Sequence, residues 1–383
     1  MEKVCEYNIC TGCGLCAAQC PKNSISMEML NSFGHLYPVI NQDTCIDCGL
    51  CINKCPAIHA PKLEKPATAY AAWSKDEEDY KSSTSGGVAS VLSQHIISKG
   101  GVVYGCAMLP DIEVKHIRVG RQEDLPKLKG SKYVQSSIVD VIPQLKKDVK
   151  EGKLTLFIGT PCQVAAIKNI YKEQPENLYL VDLICHGVPS KEILKKHVHK
   201  VAKYSHYDNI IFRESSYIVV VVVDGKVVYR RPFNRPRYKD WYINTFFDGY
   251  IYRDSCYQCH YACPERISDI TIGDFWGLGK HIPADEIPPH PNGCSVMLPM
   301  TEKGRELIDT VSVHMNMYER EVHEAVSGND QLKRPCPLTR RIRLFRLMFP
   351  YVGRPAYKLV IFDKYIRYQL VKVKRSIIEL VKR

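Results

Sequence analysis

The chain has 383 residues, 45% apolar and 25% charged, with a formal net charge of +12. That length suits two or three domains, and that balance excludes global disorder and collagen-like repetition. No stretch approaches eighteen uninterrupted apolar residues, and Met1-Glu2-Lys3-Val4-Cys5-Glu6 lacks the basic-then-apolar order of a signal peptide. The expected location is the cytoplasm, where thiols stay reduced, so the seventeen cysteines need a role other than disulfides.

Eight of the nine cysteines in the first 55 residues fall into one pattern written twice. Cys10-x2-Cys13-x2-Cys16-x3-Cys20-Pro21 recurs as Cys45-x2-Cys48-x2-Cys51-x3-Cys55-Pro56, and Gly14-Leu15 matches Gly49-Leu50. Three cysteines at this spacing wrap one side of an iron–sulfur cubane, and in two-cluster ferredoxins the fourth thiolate comes from the other run. The pattern therefore assigns Cys10, Cys13, Cys16 and Cys55 to one [4Fe-4S] cluster, and Cys45, Cys48, Cys51 and Cys20 to the other. Structural zinc also uses CxxC pairs, but it explains neither three cysteines per run nor the doubled Cys-Pro ending. Cys5, outside the pattern, reads as a small buried hydrophobe. Residues 1–60 thus read as a bacterial-type dicluster ferredoxin domain.

Pro61-Lys62-Leu63-Glu64-Lys65-Pro66 reads as a linker, and the acidic run Asp76-Glu77-Glu78-Asp79 as a solvated loop. Beyond the linker, strands alternate with helices. Thr84-Ser85-Gly86-Gly87 precedes a helix over Val88 to Ile97, followed by a strand over Val102 to Cys106. A helix is expected over Ile138 to Val149, a strand over Leu154 to Ile158, a helix over Gln163 to Tyr171 and a strand over Leu178 to Leu183. That βαβ order predicts an α/β body with parallel pairing. Tyr217 to Val223, Asp224-Gly225 and Lys226 to Arg230 predict a hairpin with a type I′ turn, its first strand buried on both faces. No GxGxxG opens a helix after a strand and no P-loop is present, so a Rossmann nicotinamide site is unsupported.

A second set of cysteines lies in this body. Thr160 suits an N-cap and Pro161 the first helical position, which puts Cys162 in the first turn, where the helix dipole favours thiolate. Cys185-His186 follows the next strand, so both cysteines are expected at the sheet edge where open α/β sheets bind ligands. Cys256-x2-Cys259 adds a CxxC pair, with Cys263 close behind. On spacing alone four readings stay open: a third cubane on Cys162, Cys185, Cys256 and Cys259, a redox dithiol at Cys256 and Cys259, a nucleophilic Cys162 beside His186, and plain buried thiols.

Residues 331–383 hold fifteen Lys/Arg and two Asp/Glu, so the basicity belongs to this tail. Ala356 to Val381 carries apolar residues at helical spacing with basic residues between. Such a helix suits peripheral contact with the inner membrane face, or simple packing on the body; nucleic acid is disfavoured because no binding motif accompanies the charge.

The double cysteine run is joined to Ser85-Gly86-Gly87, Gly130-Ser131-Lys132-Tyr133-Val134-Gln135-Ser136, Gly159-Thr160-Pro161-Cys162-Gln163, Cys185-His186-Gly187-Val188-Pro189-Ser190 and Gly273-Asp274-Phe275-Trp276-Gly277. In that order these motifs resemble the beta-subunit family of coenzyme F-420 hydrogenases and dehydrogenases, over roughly residues 1 to 300. The resemblance implies a flavin-binding N-terminal part at 68–190, a C-terminal part at 191–330, and the basic tail at 331–383. It implies an FAD-dependent iron–sulfur oxidoreductase, and a third cluster on Cys162, Cys185, Cys256 and Cys259, with Cys263 as a substitute ligand. Ser85, Gly86 and Gly87 at a helix start then offer donors for the FAD pyrophosphate, and Lys132, with Ser131 and Gln135, a polar stretch beside it. Thr160 and Gln163 become candidates for hydrogen bonds to the flavin ring, Asp274 for contact with cluster or flavin, and His186 for a catalytic proton. The expected activity passes electrons from ferredoxin, or another donor, to a small organic substrate or a deazaflavin-like coenzyme; the alternative is a relay subunit without its own substrate.

Overall fold

The structure is a computed structural model that describes residues 2–214, 218–232 and 240–363. At the N-terminal end, β1 (Ile25–Met29) and β2 (Leu36–Ile40) pair antiparallel beside two short helices, Leu15–Gln19 and Leu50–Asn53. Then come β3 (Ala69–Ser74), β4 (Val102–Leu109), β5 (Glu113–Val119), β6 (Thr155–Gly159) and β7 (Leu178–Leu183). A three-stranded antiparallel sheet follows, of β8 (Asn209–Glu214), β9 (Ile218–Val223) and β10 (Lys226–Pro232). Last come β11 (Ile270–Asp274), β12 (Ser295–Pro299) and β13 (Met315–Arg320).

Among the described residues the large sheet has eight strands in the order β13-β3-β12-β11-β7-β6-β4-β5. Its middle, β11-β7-β6-β4, is parallel, and both flanks are antiparallel. The βαβ unit falls where the apolar runs put it: β6, a helix over Pro161–Lys168, then β7 in parallel register. The hairpin turn also holds, with φ of 49° at Asp224 and 69° at Gly225 between β9 and β10. β9 is the central strand of its sheet and mostly buried, which is why its valines do not alternate.

The sheet crosses position 190. It takes β3 to β7 from before that point and β11 to β13 from after it, with the small sheet inserted between. One core lies under the helices Val88–Ser98 and Glu302–Val311, with Leu92, Ile96, Leu156, Val181 and Ile308. The core on the other face includes Tyr104, Leu145, Phe157, Val164 and Leu180. Leu15 of the cysteine-rich segment, 1% exposed, enters that second core. Its burial contributes about 2 kcal/mol to docking the segment.

Three expectations change. The segment around Glu64 is no free linker: Glu64 and Arg266 exchange backbone hydrogen bonds of 2.7 and 2.9 Å, and Leu63 packs on the core. The acidic run starts a helix, with Asp76 as N-cap and Asp79 buried against Ser90 and Lys129. The expected tail helix is described only to residue 363, where Pro355–Val360 is helical; residues 364–383 lie outside the described residues. Among the described residues no helix is long and apolar enough to cross a membrane.

Asp148 ties the helix Ile142–Lys150 to the sheet. It accepts from Tyr104 Oη at 2.5 Å, Arg118 Nε at 2.6 Å and Lys153 Nζ at 3.1 Å. Burial opposes its charge, but these bonds prevail and hold the carboxyl below its ordinary range. A depressed folded pKa stabilises the fold above the unfolded value near 4, and that contribution is lost as pH falls. Asp148→Ala is therefore expected to cost about 3 kcal/mol in urea unfolding at pH 7, and less at pH 3. An equal cost at both pH values would contradict this assignment.

Candidate metal centres

Each cysteine run turns sharply between its first and second cysteine. Gly12 and Asp47 occupy equivalent places in the repeat, at φ 65° and 49°. Glycine is required at 12 for a second reason: a Cβ there would stand 2.3 Å from Arg253 Nη2. The loops bring Cys10, Cys13 and Cys16 around one cavity of about 330 Å³, together with Cys55 and Cys5. Cys45, Cys48 and Cys51 surround another of about 360 Å³, together with Cys20. The last cysteine of each run thus sits with the other run, as the repeat predicts. Cys10 is buried and Cys48 exposed, so the first cavity faces inward and the second outward. Cys5 is buried as expected, and it has a polar role too: its thiol hydrogen-bonds toward Cys10 and Cys55 and thereby lowers the pKa of both.

A third cavity, with its mouth about 560 Å³, opens at the carboxyl ends of β6 and β7. Cys162 reaches it from the first turn of the Pro161–Lys168 helix, Cys185 from the end of β7, and Cys256 and Cys259 from the turn Asp254–Gln258 and its end. Thr160 and Gln163 form a capping box that fixes this helix start, and Thr160 Oγ1 lies 3.3 Å from Cys162 Sγ. The helix dipole does not win at Cys162: burial pushes its thiol up to about 11, and Cys185 up to about 12. Burial raises Cys256 and Cys259 as well. Cys263 does not line the cavity and points to Glu265 O at 3.2 Å, whereas Cys336 does line it.

Beside this cavity runs a row of polar groups. Ser131 donates to Thr84 Oγ1 at 3.2 Å, and Arg213 donates to Asp274 Oδ2 at 2.8 Å at the end of β11. Tyr133, its hydroxyl pushed up to about 12 by burial, lies in reach of both Arg213 and Asp274. His186 lines the cavity and feels Asp274 and Asp330, but burial outweighs them and lowers its pKa. Ser85 donates to Cys294 O at 3.1 Å. Gly86 fits only as glycine, because a Cβ would stand 2.1 Å from Ala72 O, and Gly87 caps the Val88–Ser98 helix.

Three of the polar candidates are held by the protein itself. Lys132 is neither solvated nor aimed outward: it donates to Leu128 O and Lys129 O at 2.9 and 2.7 Å, and burial lowers its pKa. Gln163 donates to Ser136 O and Oγ and accepts from Thr160 N, each at 3.0 Å. Gln135 donates to Thr11 O at 2.9 Å and accepts from Arg253 Nε at 3.1 Å, so it stands between the cysteine-rich segment and the body.

Residues 152–324 match the family model for the carboxyl-terminal part of the coenzyme F420 hydrogenase/dehydrogenase beta subunit, and residues 9–58 match the 4Fe-4S dicluster domain. Over those residues the chain is similar to the coenzyme F420 hydrogenase/dehydrogenase beta-subunit family, joined to an amino-terminal dicluster domain. A solved structure, the xenon-derivatised F420-reducing [NiFe] hydrogenase complex from Methanosarcina barkeri, contains a similar chain at 18% identity. The match covers 70% of this chain and 91% of that one, with a TM-score of 0.46. At that level the likeness bears on neither function nor partners. No curated protein matches the chain.

The residues that join the sites carry no motif. Tyr261 is 3% exposed and lies among Cys13 and Cys55 on one side and Cys162 and Cys259 on the other. Thr11 lines both the inward cavity and the body cavity, and Arg253 and Arg266 line the latter. Arg266 is paired at 2.7 Å with the fully buried Asp182. Both arginines have charged neighbours in sequence, Asp254 and Glu265, and give no local signal of their burial.

Thiol reactivity checks the burial. In metal-free protein, iodoacetamide is expected to alkylate exposed Cys48 well before Cys162 and Cys185, whose raised pKa values reduce thiolate roughly a hundredfold or more at neutral pH. Equal labelling of all three by mass spectrometry would contradict the burial.

Proposed function

We propose that the chain is an iron–sulfur flavoprotein oxidoreductase in which three [4Fe-4S] clusters stand in series. The outer cluster is assigned to Cys45, Cys48, Cys51 and Cys20, the inner one to Cys10, Cys13, Cys16 and Cys55, and the third to Cys162, Cys185, Cys256 and Cys259. The observation that carries this reading is the closeness of the inner and body cavities: Thr11 lines both, and Tyr261, which lines the body cavity, lies beside Cys13 and Cys55. Ring-like placement of the cysteines suits clusters better than zinc. Each of the two cavities is lined by three cysteines of one run and the fourth of the other, the set that a cubane takes. Charge supports the same reading: Arg253 is 1% exposed, and its hydrogen-bond acceptors are all uncharged. Anionic thiolate-bound clusters in the cavities beside it would supply the missing countercharge.

The polar row from Ser85 and Ser131 through Tyr133, Arg213 and Asp274 to His186 suits FAD. When bound, FAD supplies the exchange between single electrons and a two-electron organic substrate. The start of the Val88–Ser98 helix, which no side chain caps, is suited to the pyrophosphate. Arg213, oriented by Asp274, offers a donor along the row. His186, neutral at pH 7 because burial lowers its pKa, can accept a proton at its imidazole beside the body cavity. The substrate class is a small organic molecule or a deazaflavin-like coenzyme, and the electron donor enters at exposed Cys48, ferredoxin being the fitting class.

Iron, acid-labile sulfide and extracted flavin on anaerobically purified protein test the reading. The expected content is about twelve irons and one FAD per chain, and Cys185→Ser is expected to keep about eight irons. About eight irons in the unaltered chain would remove the third cluster, and no flavin after reconstitution with FAD would remove the flavoenzyme. Reduction that stops at the chain's own cofactors, with no acceptor turned over, would favour a relay serving a partner enzyme.

A further inference from the structure

The two ferredoxin-type cavities are built by one repeated sequence, yet their electrostatic surroundings differ. Arg253 precedes the turn Asp254–Gln258 and is 1% exposed. Its Nη1 donates to Cys10 O at 3.3 Å, Nη2 to Leu36 O at 2.7 Å, and Nε to Gln135 Oε1 at 3.1 Å. The guanidinium lies 4.6 Å from the Tyr37 ring centroid. Among the described residues no carboxylate pairs with it, in contrast to Arg266, which is equally buried but matched by Asp182. It occupies the space that a side chain at position 12 would need. The equivalent place in the second repeat is Asp47, and that cavity includes exposed Cys48. Arg253 therefore sets a desolvated, unmatched positive charge behind the Cys10–Gly12 loop of the inward cavity, while its side chain also lines the body cavity. The outer cavity opens to water at Cys48, where charges are screened.

We propose that Arg253 biases electron flow inward, by stabilising the reduced form of the cluster at Cys10, Cys13, Cys16 and Cys55 over that of its twin at Cys20, Cys45, Cys48 and Cys51. This rests on the cluster assignment made above. A buried cation favours the state with one more negative charge, and the effect is strong where water is excluded. The step it favours moves one electron: the outer cluster loses it and is oxidised by one unit, and the inner cluster gains it and is reduced by one unit. No bond forms or breaks and no proton is required. The electron comes from a low-potential one-electron donor reaching the outer cluster. Arg253 touches neither substrate nor the transferred group, so it is a positioning residue that acts through the field it sets.

The test is a redox titration of the full chain followed by electron paramagnetic resonance, with dithionite as reductant. The outer cluster is recognised by its response to a water-soluble paramagnetic relaxant. Arg253→Met is expected to lower the reduction equilibrium of the inner cluster at least tenfold, about 59 mV for one electron, and to leave the outer cluster within twofold. Arg253→Lys is expected to restore most of that loss. Gln135→Glu, which gives the guanidinium the countercharge it lacks, is expected to shift the inner cluster in the same direction as Arg253→Met, and decides the matter if Arg253→Met does not fold. Inner and outer potentials that stay unchanged in Gln135→Glu, with iron content retained, would overturn the proposal. So would equal shifts of both clusters. Wild-type protein without an inner cluster signal would instead overturn the assignment on which the proposal rests.

Discussion

A guanidinium removed from water must find acceptors, and Arg253 finds them in segments far apart in the chain: Cys10, Leu36 and Gln135. That requirement fixes how the cysteine-rich segment sits on the body. The turn that carries Arg253 also carries Cys256, so the same few residues hold one end of the body cavity and press against the loop of the inward cavity. Leu15 entering the sheet core and His35 Nε2 meeting Val188 O at 3.1 Å extend the same contact. With these three anchors Thr11 comes to line both the inward and the body cavity.

The large sheet explains why the third cavity lies where it does. Parallel strands deliver their carboxyl ends to one edge, and β6, β7 and β11 bring Thr160, Cys185 and Asp274 there together. The chain leaves the sheet after β7, builds the small sheet of β8 to β10, and returns with β11. On the way back it brings Cys256 and Cys259 to face Cys162 and Cys185. Two pairs of cysteines separated by some seventy residues thus converge because the excursion begins and ends at neighbouring strands.

Much of this was legible in the sequence where a local rule sufficed. The doubled cysteine run predicted that the last cysteine of each run sits with the other run, as the cavities place it, Thr160 announced an N-cap, and Asp224-Gly225 announced a type I′ turn. What was not legible depended on burial created by distant chain. The first-turn position of Cys162 suggested a thiolate, but a cavity wall excludes water from it and burial prevails. Lys132 read as part of a polar stretch beside the FAD pyrophosphate, yet two carbonyls of the preceding turn take its donors. Arg253, Tyr261 and Cys336 belong to no motif, because their neighbours are set by tertiary contact and not by spacing. The Pro-flanked segment at 61–66 looked like a spacer since composition alone cannot reveal a bridge to Arg266.

That bridge has a further consequence. A module joined by a slack tether can swing, collecting charge at one position and delivering it at another. Here the connection is pinned at Glu64, the inner cysteine loop is anchored in the body core by Leu15, and Lys54 and Asn169 bind across the seam to Ile170 O and to Lys54 O and His59 O. The module is a fixed socket and not a shuttle. On the reading proposed above, whatever exchanges electrons with it must travel to the face around exposed Cys48, and encounter with that face, not motion inside the chain, would set the pace of supply.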